Sequence, residues 1–273
     1  MGGVTTKAPR LGRCGQAVTV AILLAILSPG LSAPVSGAAV PELSGGDFTI
    51  LSPGTSIVIG HAHYSIDHAG SDDVLSGESR FLDGEYDVET NLLETASPGV
   101  TPALAAYQHR YYSRGGALQM DMRLDVKSGR ALCSRYDGAE AETQSANLSL
   151  PADTYAGASL LIPIAYGLLR NQPDQITAHF FTCAPGPRLL AVQTNSRAGI
   201  RWPHYDGEAC AVDVRPKLGW WDILIEPFVP KIRVWFDPAD GFNYLGGDTQ
   251  RYYRGPQVEL VRDRNALGVP PAK

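Results

Sequence analysis

The segment Leu118–Val126 reads LQMDMRLDV, and it indicates the fold class. Apolar side chains occupy every second position, and the residues between them are polar or charged. Side chains of an extended strand alternate between its two faces, so one face here is apolar and the other is polar. A helix would distribute the same apolar residues around its whole circumference. The segment is therefore predicted to be a β-strand with one buried face and one face in water.

Weaker copies of this alternation recur along the chain. One of them is the segment around Tyr86 and Val88, which alternate with Glu85, Asp87 and Glu89. The alternation and further β-rich runs predict other strands near 56–66, 74–81, 105–113, 131–137, 176–183, 188–194, 210–215, 231–236, 244–254 and 257–261. Short turn signals such as Asp-Gly separate many of them, which favours antiparallel neighbours. We expect a mainly β protein of ten to twelve strands, forming one large curved antiparallel sheet that is a half-barrel or a barrel.

One stretch departs from the strand pattern. Residues 153–170 read DTYAGASLLIPIAYGLLR, with apolar side chains at helical spacing and Asp153 as a candidate N-cap. Pro163 should kink this helix or divide it in two. The helix is too apolar to lie bare in solvent. We therefore expect one kinked helix packed on the sheet, where it covers a barrel mouth or lines a groove.

The first 38 residues have the features of a secretory signal peptide. Lys7, Arg10 and Arg13 precede an apolar run at residues 17–27, which is shorter than the ~20 residues that span a bilayer. We assign residues 1–38 to the signal, 39–54 to a linker, 55–265 to the antiparallel β domain and 266–273 to a disordered tail. The expected location is periplasmic or secreted, with no stable membrane insertion.

Three cysteines, Cys133, Cys183 and Cys210, follow the predicted signal. In an oxidising compartment one pair could form a disulfide and leave one thiol over, and the sequence does not choose among the three pairings. All three could equally be small buried apolar residues. Without residues 1–38 the chain has 20 basic and 28 acidic groups, a net charge of −8. This balance disfavours binding to nucleic acid or to anionic lipids.

Motifs that would carry a reaction are absent from the sequence. It contains no nucleophile elbow, no zinc-protease helix and no glycine-rich phosphate loop, so no catalytic residue, metal site or cofactor is predicted. His61 and His63 share one strand face and are the closest approach to a site, but surface histidines are the simpler interpretation. Asp121 and Asp125 are expected to belong to a solvated charge ladder across strands.

The order of these segments resembles a family of exported bacterial antiparallel-β proteins known as a domain of unknown function. The resemblance rests on the early strand–turn–strand of residues 63–85, the Tyr136-Asp137-Gly138 turn before residues 150–154, and the late strands at 230–237 and 258–260. It implies a curved antiparallel sheet with helical plugs, similar to periplasmic lipoprotein carriers. It implies no functional residues.

The sequence leads to one main hypothesis about function. We expect a non-enzymatic extracytoplasmic binding or scaffold protein that holds an apolar or amphipathic small molecule in a groove of the sheet. The candidate ligand-binding residues are Tyr155, Leu160, Tyr166 and Trp221. One alternative is an envelope hydrolase that uses His61 or His63. The other is a structural or assembly partner, suggested by aromatic pairs such as Tyr111-Tyr112 that place one ring outward.

Overall fold

A computed structural model of the protein describes residues 45–69, 72–94, 100–138, 140–170, 176–183, 185–217, 232–251 and 255–263. Strands dominate this part of the chain, and they form a single sheet. The fifteen strands are β1 Gly46–Leu51, β2 Val58–Ala69, β3 Asp72–Phe81, β4 Tyr86–Glu94, β5 Ala103–Tyr112, β6 Leu118–Asp125, β7 Arg130–Asp137, β8 Glu140–Asn147, β9 Thr154–Tyr155, β10 Thr177–Thr182, β11 Arg188–Arg201, β12 Glu208–Pro216, β13 Ile232–Asp237, β14 Asn243–Gln250 and β15 Gln257–Arg262.

The strand order is β8-β7-β6-β5-β4-β3-β2-β1-β15-β14-β13-β12-β11-β10-β9. Every neighbouring pair is antiparallel except β9 and β10, which are parallel. Short turns make this arrangement possible: Gly84 and Gly129, for example, adopt positive φ values of 91° and 71° in the hairpins that they close. The prediction of one large antiparallel sheet is confirmed, with more strands than the ten to twelve expected.

The sheet curls until its two ends come into contact, although no hydrogen-bonded ladder joins the edge strands β8 and β9. The rings of Tyr107 on β5 and Phe181 on β10 lie 6.1 Å apart, and these strands are far from each other in the strand order. The Tyr155 hydroxyl on β9 donates a hydrogen bond to the carbonyl of Pro102, just before β5, at 3.1 Å. The architecture is therefore a barrel-like sheet that is not closed by strand pairing.

A disulfide between Cys133 and Cys183 also joins the two ends of the sheet. Cys133 lies on β7 and Cys183 directly follows β10, with their Cα atoms 5.8 Å apart. The sequence left this pairing open, and the curvature of the sheet decides it. The expectation of one leftover thiol is wrong, because none of the cysteines in the described part of the chain is free.

The helical segment is shorter than predicted. A 3₁₀ helix at Gly157–Leu160 leads directly into one α-helix, α1, at Leu161–Leu169. Asp153 is not the N-cap, because the chain first forms the short strand β9. Pro163 lies in the first turn of α1, where its missing N–H has no partner to lose, so the change from 3₁₀ to α geometry falls just before it. As expected, this segment packs on the sheet, with Ile164 and Leu168 fully buried.

Strand β1 corrects the predicted linker at residues 39–54. Residues 46–51 lie in the middle of the sheet, between β2 and β15, with Phe48 and Ile50 buried. The pattern was present, because Phe48 and Ile50 alternate with polar residues, but the glycines before them suggested a linker. The predicted signal peptide and tail lie outside the described residues. Among the helices of the described segments, none has the length and apolar character to cross a membrane.

Candidate functional site

The inner face of the sheet and the helical segment line a partly open cavity of about 390 Å³, which we call the central cavity. It extends from Leu160 and Ile164 on the helical segment to Phe81 and Arg251 near the β3–β4 turn. This volume lies within the range of about 300–1,000 Å³ that is typical of small-molecule sites. The cavity is therefore large enough to hold a small organic ligand.

Two sides of the central cavity differ in chemistry. The side formed by β11–β15, which we call the apolar wall, consists mainly of aliphatic side chains: Val192, Val214, Val234, Val258 and Leu260. The side formed by β4 and β5, which we call the polar wall, presents Asp87, Glu89 and His109. An apolar pocket with a few polar groups on one side is the usual composition of a site that binds and orients a small molecule.

The polar wall depends on strand register. Glu89 on β4 is paired with His109 on β5, and Asp87 lies two residues before Glu89 and so on the same face. His109 Nε2 lies 3.9 Å from an Asp87 carboxylate oxygen, with both side chains largely buried. The sequence alternation suggested Tyr86 and Val88 as the core-facing residues of this strand. The structure reverses this assignment, because the acidic residues face the cavity.

Glu89 is held by the segment that covers the cavity. Its Oε1 accepts a hydrogen bond from the backbone N–H of Ala158 at 2.7 Å and another from Asn91 Nδ2 at 2.7 Å. Gly157 adopts a φ of 50°, and a Cβ at this position would collide with the Glu89 carboxylate. A glycine is therefore required where the 3₁₀ helix approaches Glu89.

The electrostatics of the polar wall follow from its burial. Burial raises the pKa of Glu89, and this effect outweighs the opposing effects of His109 and of the two hydrogen bonds. Burial alone would lower the pKa of His109, but the Asp87 and Glu89 carboxylates raise it above its ordinary value. The polar wall thus favours a protonated His109 beside Asp87 and holds Glu89 in surroundings that disfavour its charge.

Two tyrosines, Tyr64 and Tyr107, also line the cavity close to these acids. Burial raises the pKa of both hydroxyls, and the negative charges of Glu89 and Asp87 raise it further. The Tyr64 ring lies against Gly77 of β3, where a Cβ would meet the ring edge. Gly77 is paired with both Tyr64 and Glu89 in the sheet, so the absence of its side chain leaves room for the ring in front of the polar wall.

Arg251 borders the cavity at the end near the β3–β4 turn. Its guanidinium binds Asp83 at 2.5 Å and Glu85 at 2.6 Å and stacks over the Phe81 ring at 3.9 Å. Arg251 follows β14, and β15, β1 and β2 separate β14 from β3 in the sheet, so these contacts cross the interior of the curved sheet. The hydrogen bond from Arg251 lowers the pKa of Asp83. These charges hold the end of the cavity in place.

The four predicted ligand-binding residues have different positions. Leu160 lines the central cavity. Tyr155 and Tyr166 are buried but do not line it: Tyr155 bonds to Pro102, and the ring of Tyr166 lies under the Arg170 guanidinium at 5.4 Å. Trp221 lies outside the described residues. Of the three that lie in the described segments, the structure therefore brings one, Leu160, to the cavity.

The candidate histidines lie on the outer face of β2. His61 and His63 are both exposed, and His63 Nδ1 is 2.7 Å from an Asp47 carboxylate oxygen. Neither residue lines the central cavity. Asp121 also differs from the expected solvated ladder, because it is 1% exposed and is bound by Arg123 and Gln108.

A second, more polar cleft of about 660 Å³ lies between β6–β8 and the segment after β10. It is bordered by the Cys133–Cys183 disulfide and by charged residues such as Arg135 and Glu142. The helical segment does not line it. The central cavity is the better candidate site, because it combines apolar walls with a few buried polar groups.

Sequence reasoning missed Asp87, Glu89 and His109 as a group. Each carried an ordinary explanation as a surface residue of an alternating strand. One signal was available in the sequence. His109 lies two residues before Tyr111 and therefore shares its strand face, and Asp87 and Glu89 likewise share one face of a neighbouring strand. Only the pairing of β4 with β5 shows that these faces meet inside the sheet.

Comparisons with known proteins give a fold similarity and no function. Neither a protein-family model nor a curated protein matches the sequence. Among solved structures, the chain is similar to a β-barrel-like protein of domain of unknown function DUF1849 from Brucella abortus. The two are 9% identical with a TM-score of 0.45, and the match covers 81% of this chain and 96% of the other.

Proposed function

We propose that this protein is a non-enzymatic, extracytoplasmic binding protein that holds an amphipathic small molecule in the central cavity. The observation that carries the proposal is the cavity of about 390 Å³ with an apolar wall on one side and the polar wall on the other. The apolar wall would bury the body of the ligand, since removing apolar surface from water is favourable. The polar wall would fix the orientation of its polar end.

Two features support an extracytoplasmic location. Residues 1–38 combine a basic start with a short apolar run, as secretory signals do. Cys133 and Cys183 form a disulfide that joins the ends of the sheet, and such structural disulfides persist mainly in oxidising compartments. The resemblance to exported β proteins and to lipoprotein carriers belongs to this same proposal.

The alternatives from the sequence have less support. A hydrolase built on His61 and His63 would need them in a pocket, whereas both are exposed on the outer face of β2. An assembly role rested partly on outward aromatic rings. Tyr112 is one such ring, and it stacks on Tyr86 at 4.5 Å between centroids, so its neighbour within the chain already covers it.

The proposal is tested by binding of a neutral apolar fluorescent probe, N-phenyl-1-naphthylamine, to the purified protein. We expect saturable binding that Val214→Phe weakens by about tenfold or more, because the larger ring fills part of the cavity. Val100→Phe is the matched control, since Val100 is 49% exposed and lies outside the cavity. Mass spectrometry of the purified protein should also find a co-purifying amphipathic molecule. Absence of saturable binding, or equal binding by the Val214 variant, would count against the proposal.

A further inference from the structure

The polar wall has a definite charge balance. Asp87 and Glu89 are two carboxyl groups, and His109 is the cationic group beside them. Arg251 also borders the cavity, but its guanidinium is engaged by Asp83 and Glu85. Arg215 on β12 and Asp248 on β14 line the cavity too, away from the polar wall, and their opposite formal charges cancel. When both acids are ionised, one negative charge therefore remains unbalanced on the polar wall. A positively charged ligand group would balance it, and an anionic group would be repelled.

Two acceptor atoms at or beside the polar wall receive no hydrogen bond from the described residues. Both hydrogen bonds of Glu89 are made by Oε1, and within the described segments Oε2 has no donor. Asn91, which donates to Glu89, is 0% exposed, and its own Oδ1 is buried with no partner among the described residues. A buried acceptor without a donor is unfavourable. Asn91 does not line the cavity, so of these two atoms only Glu89 Oε2 is placed to accept a hydrogen bond from a ligand there.

The aromatic rings near the acids favour the same chemistry. Tyr64 and Tyr107 line the cavity close to Glu89 and Asp87. The face of an aromatic ring attracts a cation, and the attraction strengthens where water is excluded. Two carboxyl groups, one of them with an oxygen that has no donor among the described residues, and two aromatic rings thus line the same cavity.

We propose that the ligand of the central cavity is a cationic amphiphile, with an apolar body and a protonated amine that binds Glu89 and Asp87. This inference rests on the proposed binding function and specifies the ligand class for the same site. The amine would donate to Glu89 Oε2, and the apolar body would lie along the apolar wall.

The test compares three ligands with the same apolar tail: decylamine, 1-decanol and decanoate. Each displaces N-phenyl-1-naphthylamine from the purified protein at a pH at which the amine is protonated and decanoate is ionised. We expect decylamine to bind about tenfold more tightly than 1-decanol, as one added charge-assisted hydrogen bond would give, and decanoate to bind most weakly. Decanoate binding as tightly as decylamine, or more tightly, overturns the inference.

Substitutions test which residues cause the expected preference for decylamine over 1-decanol. Glu89→Gln keeps an acceptor for Ala158 and Asn91 but removes the charge, so decylamine should lose its advantage while 1-decanol binds within about twofold of its original affinity. Glu94→Gln is the matched control, because Glu94 is exposed at the end of the same strand. An amine preference that persists in Glu89→Gln overturns the assignment.

Two further outcomes separate this inference from the proposed function. Asp87→Asn should reduce the preference for decylamine, which keeps the inference testable if the Glu89 variant does not fold. If 1-decanol binds but decylamine and decanoate bind equally, the cationic ligand class is wrong and the binding function remains. If none of the three ligands displaces the probe, the proposed function itself fails.

Discussion

The two walls of the central cavity differ in their effect on stability. Burial of Val192, Val214 and Val234 on the apolar wall stabilises the fold by about 25 cal/mol for each Å² of apolar surface removed from water. Burial of Asp87 and Glu89 on the polar wall acts in the opposite direction, because charged and polar groups lose hydration. The same sheet therefore contains one region that stabilises the fold and one that opposes it.

This difference identifies the region to test for function. Groups that reduce stability and are nonetheless held in a fixed geometry commonly belong to functional sites. Glu89 is held by Ala158, Asn91 and the glycine at position 157. Substitutions on the two walls should accordingly have opposite effects on stability.

The largest expected effect comes from the disulfide that joins the end of the sheet beside the polar wall to the end beside the apolar wall. Replacing Cys133 and Cys183 together by Ala should lower the free energy of unfolding by about 4 kcal/mol, because their cross-link constrains 50 residues of the unfolded chain. Urea denaturation of the variant and of the unsubstituted protein measures this difference in the free energy of unfolding. A loss below about 1 kcal/mol would show that contacts between the sheet ends suffice without the cross-link.

The helical segment that lines the cavity should give the next effect. Ile164 is 0% exposed, so Ile164→Ala should lower the free energy of unfolding by about 3 kcal/mol through lost burial and a larger cavity. Leu82→Ala is the control, since Leu82 is 71% exposed and should change stability by less than about 0.5 kcal/mol. Equal effects of the two substitutions, measured by thermal unfolding, would contradict the packing described for α1.

On the polar wall, Glu89→Gln should stabilise the protein relative to the original sequence, and this advantage should grow as the pH rises. The pKa of Glu89 in the folded protein is above its ordinary value of 4.5, so the folded state binds the proton more tightly than the unfolded state. The favourable contribution of Glu89 to the free energy of unfolding is present below pH 4.5. It is lost as the pH rises through the pKa of Glu89 in the folded protein. His109, Asp87 and the Ala158 N–H also face this carboxyl, and because the Glu89 charge raises the pKa of His109, that pKa should fall in the variant.

Thermal unfolding at several pH values measures this effect. The variant and the original protein should have similar midpoints near about pH 4, and the variant should become the more stable one towards about pH 6. Glu94→Gln should show no such divergence, since Glu94 is exposed. A variant that becomes less stable with rising pH would show that the Glu89 charge stabilises the fold.

The smallest expected effect is a change in the pKa of one side chain, His109. Burial lowers the pKa of His109, and the carboxylates of Asp87 and Glu89 raise it to a net value above 6.5. Asp87→Asn removes the partner that lies 3.9 Å away, so the pKa of His109 should fall. Nuclear magnetic resonance titration of the imidazole measures the change. An unchanged pKa would show that Asp87 and His109 do not interact.

Much of the sheet was predictable because its pattern is local. The alternation in Leu118–Val126 appears as β6, Leu118–Asp125, and Asp-Gly turns such as Asp83-Gly84 fall at hairpins as expected. Strand β1 was missed because glycines precede its short apolar pattern, and β8 was missed because its side chains are mainly polar and exposed on both faces. Such strands form because adjacent strands pair with them, and not because their own composition favours a strand.

The candidate site was much less predictable than the sheet. Leu160 was identified because an apolar helical segment must pack on something. Asp87 and Glu89 were not, because alternation shows that two faces differ but not which face turns inward. A strand of a sheet that encloses a cavity can direct its polar face into that cavity.

The sequence by itself determined that this chain forms a large antiparallel sheet with an apolar helical segment packed on it, because strand alternation and turn residues act over a few positions. Only the tertiary structure decided that the sheet curls until Cys133 meets Cys183, and that Asp87, Glu89 and His109 line the central cavity. The physical reason is that curvature and register join residues far apart in the chain, and no local pattern contains that information.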